Sequence, residues 1–506
     1  MSYSKVYGAQ PGIPNAHIVD IEVDLSRGLY AFAIVGLPDQ ATEEAKDRIS
    51  AAIKNSRFES PKNANQKIVI SLAPAEVKKE GAGLDLGMAL AYLLAKEEAN
   101  FLPDGRIFVG ELSLDGGVRA AKGVLSIAKA AHKNGFREIY VPKENAREAA
   151  LIKGLAVYGV GSLCDCVDHL LGKRPLKKEP PTEIDFSKND WSADFADIKG
   201  QETAKRALEI AAAGGHNVAL YGPPGTGKTM LARAFGSILP PLSFDEMLEV
   251  TEIHSIAGAL GSNLLTERPF RSPHHTSSYV AIVGGGTNPK PGEITLAHRG
   301  ILFLDEFAEF ETRVIESLRQ PLEERFVTVS RARGTIKFPA QFILVAAMNP
   351  CPCGNAGIKG RVCTCSAMAV ERYKRKLSGP IIDRIDIWVE VSKVDHDKLT
   401  EKAEKSESIP ARERIISARE IQKRRFGKAS KINGEMSVRD LVSIINLDKE
   451  TKELLNDSAR AFNMSARGYH KTIKVARTIA DLEGAAEIGK QHILEALSYR
   501  PKTQGY

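Results

Sequence analysis

Two spacings of apolar residues divide the chain. In Ile18-Val-Asp-Ile-Glu-Val-Asp-Leu25 and Tyr30-Ala-Phe-Ala-Ile-Val35 hydrophobic side chains recur every second residue on either side of Ser26-Arg-Gly28, predicting strand, turn and strand. A helix follows over residues 41–55, then a strand at Lys67-Ile-Val-Ile-Ser71, a buried helix over 84–95, a hairpin over 102–118 and a helix over 122–132. Residues 1–172 are therefore expected to form an α+β domain. Gly172-Lys-Arg-Pro-Leu-Lys-Lys-Glu-Pro-Pro181 is charged and proline-rich, which predicts an exposed linker over 173–189. An α/β domain is expected over 190–395. From His396 the spacing is helical, with elements predicted over 437–446, 449–462, 468–483 and 490–499, so 396–506 reads as a separate helical domain. No internal repeat is visible.

The α/β stretch carries the chemistry. Asn217-Val-Ala-Leu-Tyr221 reads as a buried strand that runs into Gly222-Pro223-Pro224-Gly225-Thr226-Gly227-Lys228-Thr229, after which a helix opens. That is the setting a phosphate-binding loop requires. Its backbone N–H groups close round the phosphates, the helix start adds partial positive charge, Lys228 reaches the β- and γ-phosphates and Thr229 holds Mg²⁺. Ile301-Leu-Phe-Leu304 ends in Asp305-Glu306, where Asp305 is suited to orient the magnesium and Glu306 to polarise the attacking water. Together they predict hydrolysis of a nucleotide with Mg²⁺.

Further positions extend the site. The apolar run Gln341-Phe-Ile-Leu-Val-Ala-Ala-Met348 ends at Asn349, whose amide suits holding the lytic water against the γ-phosphate; Asn349-Pro350 equally reads as a turn. Arg384 stands just before a strand and reads either as a surface ion pair or as an arginine supplied to a neighbour's nucleotide. Arg467, at a helix start, is a second candidate for phosphate. Phe326-Val-Thr-Val-Ser-Arg331-Ala-Arg333-Gly-Thr-Ile-Lys337-Phe alternates like a hairpin with a basic tip, and Arg331, Arg333 and Lys337 are candidates for phosphate contacts on DNA, against the plainer reading of a solvated basic hairpin. Aromatic residues for base stacking are not evident, so backbone tracking is expected over base reading.

Composition narrows the class. The chain has 506 residues, 43% of them hydrophobic and 26% charged, which suits about three soluble domains, and its net charge of +7 is too mild by itself to specify a polyanionic partner. The opening Met1-Ser-Tyr-Ser-Lys is polar and mixed, and no run of eighteen apolar residues occurs, so a cytoplasmic protein without membrane contact is expected. Six cysteines fall in three Cys-x-Cys pairs. Cys351, Cys353, Cys363 and Cys365, over the loop 351–365, can surround one tetrahedral Zn²⁺ of structural kind, with free or redox thiols as the alternative. Cys164 and Cys166 lack a second pair and read as core or surface thiols.

Gly222 to Thr229, Asp305-Glu306, Asn349, Arg384 and Arg467, in that order, resemble the Walker A, Walker B, sensor 1, arginine finger and sensor 2 positions of AAA+ ATPases. Phe270-Arg-Ser-Pro-His-His275-Thr, Gly284-Gly-Gly-Thr-Asn-Pro-Lys-Pro-Gly-Glu-Ile and Met348-Asn-Pro-Cys-Pro-Cys-Gly354 resemble more closely the magnesium-chelatase-like group called ComM or YifB, over essentially the whole chain. The resemblance implies an AAA+ core with a hairpin before sensor 1, a C-terminal helical lid, a homo-hexameric ring with ATP between subunits, and DNA branch migration in transformation or repair. Single-stranded and branched DNA are the implied partners, and recombinase filaments a further one. It also implies that residues 278–290 form a second insertion at the pore, mobile through its three glycines. Residues 73–86 and Gly116-Gly-Val-Arg119 resemble the Lon protease domain, with Gly83 at the place of the nucleophilic serine and Arg119 at that of the lysine, so no peptidase is expected. A protein-remodelling or metal-chelatase-like ATPase is the alternative function.

Overall fold

The first strands do not pair in chain order. His17–Arg27 pairs with Tyr3–Gln10 on one side and with Gln66–Ala73 on the other, both antiparallel, and Ala31–Val35 lies outermost, parallel to Gln66–Ala73. The strands flanking Ser26-Arg-Gly28 are thus separated by a third. Parallel pairing needs a crossover, and the helix Ala45–Asn55 supplies it between Ala31–Val35 and Gln66–Ala73. The helix expected over 41–55 is broken in two, because Asp39 caps a short first turn, Gln40–Glu43, through the Thr42 N–H. Val19, Ile21 and Val23 face inward under the helix Asp85–Ala95, which is buried almost throughout. Of the hairpin expected over 102–118 only Glu111–Leu112 and Val118–Arg119 pair; Arg106–Phe108 joins Glu138–Pro142 and Ala156–Val160 in a parallel sheet.

The computed structural model describes residues 3–12, 15–63, 65–76, 79, 81–184, 191, 193–260, 264–286, 289–331, 334–356, 362–394, 406–427 and 431–501. They form two units, Met1–Asp185 with Met247–Leu265, and Phe186–Glu246 with Thr266–Tyr506. The first unit is therefore discontinuous. Its inserted segment is held by buried polar contacts, in which Ser255 Oγ donates to Glu148 Oε1 at 2.5 Å and accepts from the Gly123 N–H at 3.0 Å, and by a partly exposed pair of Lys129 with Glu252 at 3.1 Å. The proline-rich stretch expected to be an exposed linker is mostly exposed as far as it is described, and it runs along this unit. The Glu179 N–H bonds the Val157 carbonyl, and Thr182 bonds Ala150 and Arg147, because an open sheet edge at 156–160 accepts it.

In the second unit Phe270–Arg271, Ile301–Leu304, Ile343–Met348, Val218–Tyr221 and Ile387–Glu390 form one parallel sheet in that spatial order. The strands read as unbroken apolar runs because both faces are covered. Helices Ser408–Phe426, Val438–Ile444, Lys449–Ala461, Ala466–Leu482 and Lys490–Ser498 share one hydrophobic core with that sheet through Ala411, Ile415, Leu455, Ile479 and Ile493, so the helical region and the α/β region make one compact unit. Among the described residues no helix is long and apolar enough to cross a membrane.

Candidate functional site

Parallel strands place their carboxyl ends on one edge of the sheet, and the loop 222–227 leaves that edge between Val218–Tyr221 and the helix Lys228–Ile238. Gly222 is required by space, since a Cβ there would stand 2.2 Å from the Val391 carbonyl oxygen. Gly227 is required by conformation, with φ of 90° just before the helix. Lys228 is buried, and its ammonium donates to the carbonyls of Gly222 and Pro223 at 2.7 Å each and to Asn349 Oδ1 at 3.1 Å. Those three acceptors match its three protons. Burial pushes its pKa down, and the Asp305 carboxylate opposes that shift. A phosphate oxygen replacing one of these acceptors favours the charged form.

The acidic strand end closes on the same point. Thr229 Oγ1 donates to Asp305 Oδ2 at 2.8 Å, and the Glu306 N–H donates to Asp305 Oδ1 at 2.9 Å. Asp305 and Thr229 thus offer adjoining oxygen ligands, the donor set a hard divalent cation takes beside phosphates. Glu306 is held at φ of 50°, a left-handed conformation rare outside glycine. His275 Nδ1 lies 3.2 Å from Glu306 Oε2, and its ring stacks at 4.2 Å on His274. The contact was not anticipated from sequence: the two histidines stand out there only as part of a longer motif.

Asn349 therefore meets Lys228 at the sheet edge. Arg384 and Arg467 do not join this cluster. Arg384 donates through Nε to the Arg319 carbonyl at 3.1 Å and pairs with Glu323, and Arg467 reaches the other oxygen of the same Glu323 at 2.6 Å. They line a cavity of about 450 Å³ with Asp383, Asp386, Lys471 and Lys474. No sequence signal marked Glu323 as the residue both arginines would share.

The four cysteines converge. Sγ separations are 3.4 Å for Cys351 and Cys353, 3.7 Å for Cys351 and Cys363, and 3.6 Å for Cys353 and Cys363, and the sulfurs of all four lie within 4.8 Å of one another. Tetrahedral Zn²⁺ with bonds of about 2.3 Å needs sulfurs about 3.8 Å apart, so the donor set fits that ion. N–H groups of Asn355 and Thr364 push the Cys353 thiol down to about 5, while the crowded cluster leaves the Cys363 and Cys365 thiols raised, so one thiolate is favoured among the four before a metal joins. The loop also abuts the phosphate loop: a Cβ on Gly354 would lie 2.6 Å from Pro224 Cδ. Cys166 is buried, with its thiol pKa raised by desolvation.

The hairpin is present as Phe326–Arg331 and Gly334–Pro339, with Arg331 opposite Gly334. Arg333 and the side chain of Arg331 fall outside the described residues. Lys337, expected at the tip, lies on the returning strand opposite Thr328, with its ammonium 4.7 Å from the centre of the Phe326 ring, because the pairing of Arg331 with Gly334 leaves it part-way down the stem. Residues 278–290, expected as a mobile glycine loop, include a short helix Tyr279–Val283 capped by Ser278 and a pairing of Gly284–Gly285 with Lys290–Pro291. In the first unit Gly83 has open space where a Cβ would stand, and Arg119 is exposed beside Glu111 at 3.5 Å.

Known proteins resemble this chain along its length. Models described as "Magnesium chelatase, subunit ChlI", "Subunit ChlI of Mg-chelatase" and "Magnesium chelatase, subunit ChlI C-terminal" match residues 194–399, 21–145 and 403–500. The competence protein ComM of Haemophilus influenzae is 42% identical over 99% of this chain and 98% of its own length. Protein YifB of Salmonella typhimurium is 43% identical over 96% of this chain and 94% of its own. Lon protease 2 of Bacillus subtilis is 30% identical over 27% of this chain and 26% of its own.

Proposed function

The chain belongs to the ComM/YifB family of magnesium-chelatase-like AAA+ ATPases, and from that premise we propose that it is a cytoplasmic DNA motor that assembles as a homo-hexamer and migrates branched recombination intermediates in transformation or repair. Single-stranded and branched DNA are its substrates, and recombinase filaments a further partner. The observation that carries the reading is the meeting of Lys228, Thr229, Asp305, Glu306 and Asn349 at one sheet edge, in a chain whose sheet also sends out the hairpin 326–339.

The loop Gly222 to Gly227 takes the phosphates of ATP on its N–H groups, and Lys228 exchanges a backbone carbonyl for a phosphate oxygen. Thr229 and Asp305 hold Mg²⁺, which when bound neutralises charge on the phosphates. Glu306, oriented by His275, polarises the attacking water, and Asn349 holds that water against the γ-phosphate. Arg384 and Arg467 act on nucleotide across the ring interface, leaving Glu323 when a neighbour's phosphates arrive. Structural Zn²⁺ on Cys351, Cys353, Cys363 and Cys365 braces the phosphate loop through Gly354 and Pro224. Arg331, Arg333 and Lys337 contact DNA phosphates, which makes the grip salt-dependent and independent of sequence.

The test is ATP hydrolysis by the purified protein with no DNA, single-stranded DNA or a four-way junction, at two salt concentrations, beside Lys228→Ala and Arg331→Ala/Arg333→Ala. Stimulation by DNA, abolished in the first variant and uncoupled from DNA in the second, is expected. Hydrolysis indifferent to every DNA form favours a protein-remodelling or chelatase-like machine, a reading that the matches to chelatase subunit models keep in view.

A further inference from the structure

The opposite edge of the same sheet holds a second cluster of cations. At the amino-terminal ends of Ile301–Leu304 and Ile343–Met348, away from the phosphate loop, lies a cavity of about 80 Å³. Arg268, Arg299, Arg325, Arg419 and Lys431 line it, against the carboxylates of Glu246 and Glu435 alone. Those carboxylates are already engaged: Glu246 pairs with Arg268 at 3.0 Å and Arg299 at 3.7 Å, and Glu435 pairs with Arg325 at 2.6 Å and accepts from Gln341. Lys431 turns to Asp440 at 2.8 Å.

Arg419 is the group left without a carboxylate. Its Nε and Nη2 both donate to the Ala212 carbonyl, at 3.2 and 2.6 Å, and no ion pair of Arg419 occurs among the described residues. Burial, and then repulsion from Arg268, depress its pKa to about 9, yet a guanidinium stays protonated at neutral pH. Unbalanced charge in a half-buried cavity is unfavourable unless an anion joins it. Guanidinium forks fit phosphate oxygens, and drug-sized ligands fill roughly 300–1,000 Å³, so this space suits one tetrahedral oxyanion and excludes a nucleotide.

The place gives the ligand a lever. Arg325 directly precedes the hairpin strand Phe326–Arg331, Gln341 follows the returning strand Gly334–Pro339, and the two ends are tied by the Ala340 N–H to the Arg325 carbonyl at 2.8 Å. We propose that this cavity binds one phosphate-class oxyanion, free or in a nucleic-acid backbone, at the root of the hairpin and apart from the nucleotide loop. The site stands whether or not the chain moves DNA.

Calorimetric titration of the full chain with inorganic phosphate tests it, using Lys228→Ala as the parent so that the nucleotide loop contributes little. Saturable binding is expected in the parent, at least tenfold weaker in Lys228→Ala/Arg419→Gln. Loss of all phosphate binding in the parent, or unchanged affinity after Arg419→Gln, overturns the proposal. Should Arg419→Gln fail to fold, Lys431→Gln replaces it, with weaker binding again expected and unchanged affinity again fatal. A single-stranded deoxythymidine 12-mer added to the parent separates the sources. If it competes with phosphate, the ligand is a backbone phosphate; if phosphate still binds undisturbed, the ligand is the free ion, and either result supports the site.

Discussion

Lys228 and the pair Arg384 and Arg467 are cations with the same proposed ligand in opposite surroundings. Lys228 is buried and has three acceptors from its own subunit waiting on it, whereas Arg467 is half exposed and shares the single carboxylate of Glu323 with Arg384. A side chain that one chain satisfies completely can work with that chain's own strand ends. Two guanidiniums sharing one exposed carboxylate are free to change partner, because an ion pair in water is worth little and a phosphate offers more. On the proposed reading, the difference separates a hydrolytic centre that one subunit builds by itself from two arginines left to complete the next subunit's centre.

The largest expected effect breaks that division directly. Arg384→Ala is expected to lower turnover by the assembled ring by about 10³ to 10⁵ while nucleotide binding by the isolated subunit stays unchanged. Near-normal turnover in the ring would show that Arg384 is not borrowed. On the self-contained side, Glu306→Gln should lower hydrolysis by roughly 10² to 10⁴ with nucleotide affinity retained, as measured by steady-state turnover and a fluorescent nucleotide. Loss of binding instead of turnover would move Glu306 out of the water-polarising role.

Zinc removal probes whether the loop is braced from behind. Stripping with a chelator, or Cys363→Ser, is expected to remove zinc measured by mass spectrometry and to destabilise the nucleotide unit by about 4 kcal/mol or more in a melting experiment. A metal-free protein with unchanged melting would detach the cysteine loop from the phosphate loop.

Near the arginine cavity the fixed framework includes His216, fully buried against Thr478 at 2.8 Å and near Asp386, with its pKa lowered to about 4 mainly by desolvation. The folded state binds its proton later than the unfolded chain, whose histidine titrates near 6.5. Its contribution is therefore present above pH 6.5 and lost as pH falls toward 4, amounting to about 2 kcal/mol between pH 7 and 5. Denaturant melts at both pH values check it, and His216→Gln should flatten that dependence. The smallest effect belongs to the carboxylate the arginines share: Glu323→Ala should change subunit stability by under about 1 kcal/mol. A larger loss would mean that the pair is a structural lock and not a resting place.

Much of the nucleotide centre was legible locally. The loop Gly222 to Thr229 and the strand ending in Asp305-Glu306 announce themselves because phosphate binding demands particular residues at adjacent positions. Asn349 was legible only as one of two readings, and its contact with Lys228 appeared when the strands Val218–Tyr221 and Ile343–Met348 came to lie side by side. The basic hairpin was legible as an alternation, while the depth of Lys337 on it followed from the register that sets Arg331 opposite Gly334.

What the sequence by itself determined is the set of short-range patterns: the alternation of buried strands, the glycine loop, the paired cysteines and the family to which their order points. Periodicity and motif spacing depend on neighbours in the chain, so they survive without a fold. Only the tertiary structure decided that Gln66–Ala73 separates the first two predicted strands, that Met247–Leu265 packs into the first unit, that Gly354 meets Pro224 and that Arg384 and Arg467 share Glu323. Each joins residues tens to more than a hundred positions apart, where the choice of partner is set by which surfaces bury together and which charges remain unpaired, quantities no local pattern contains.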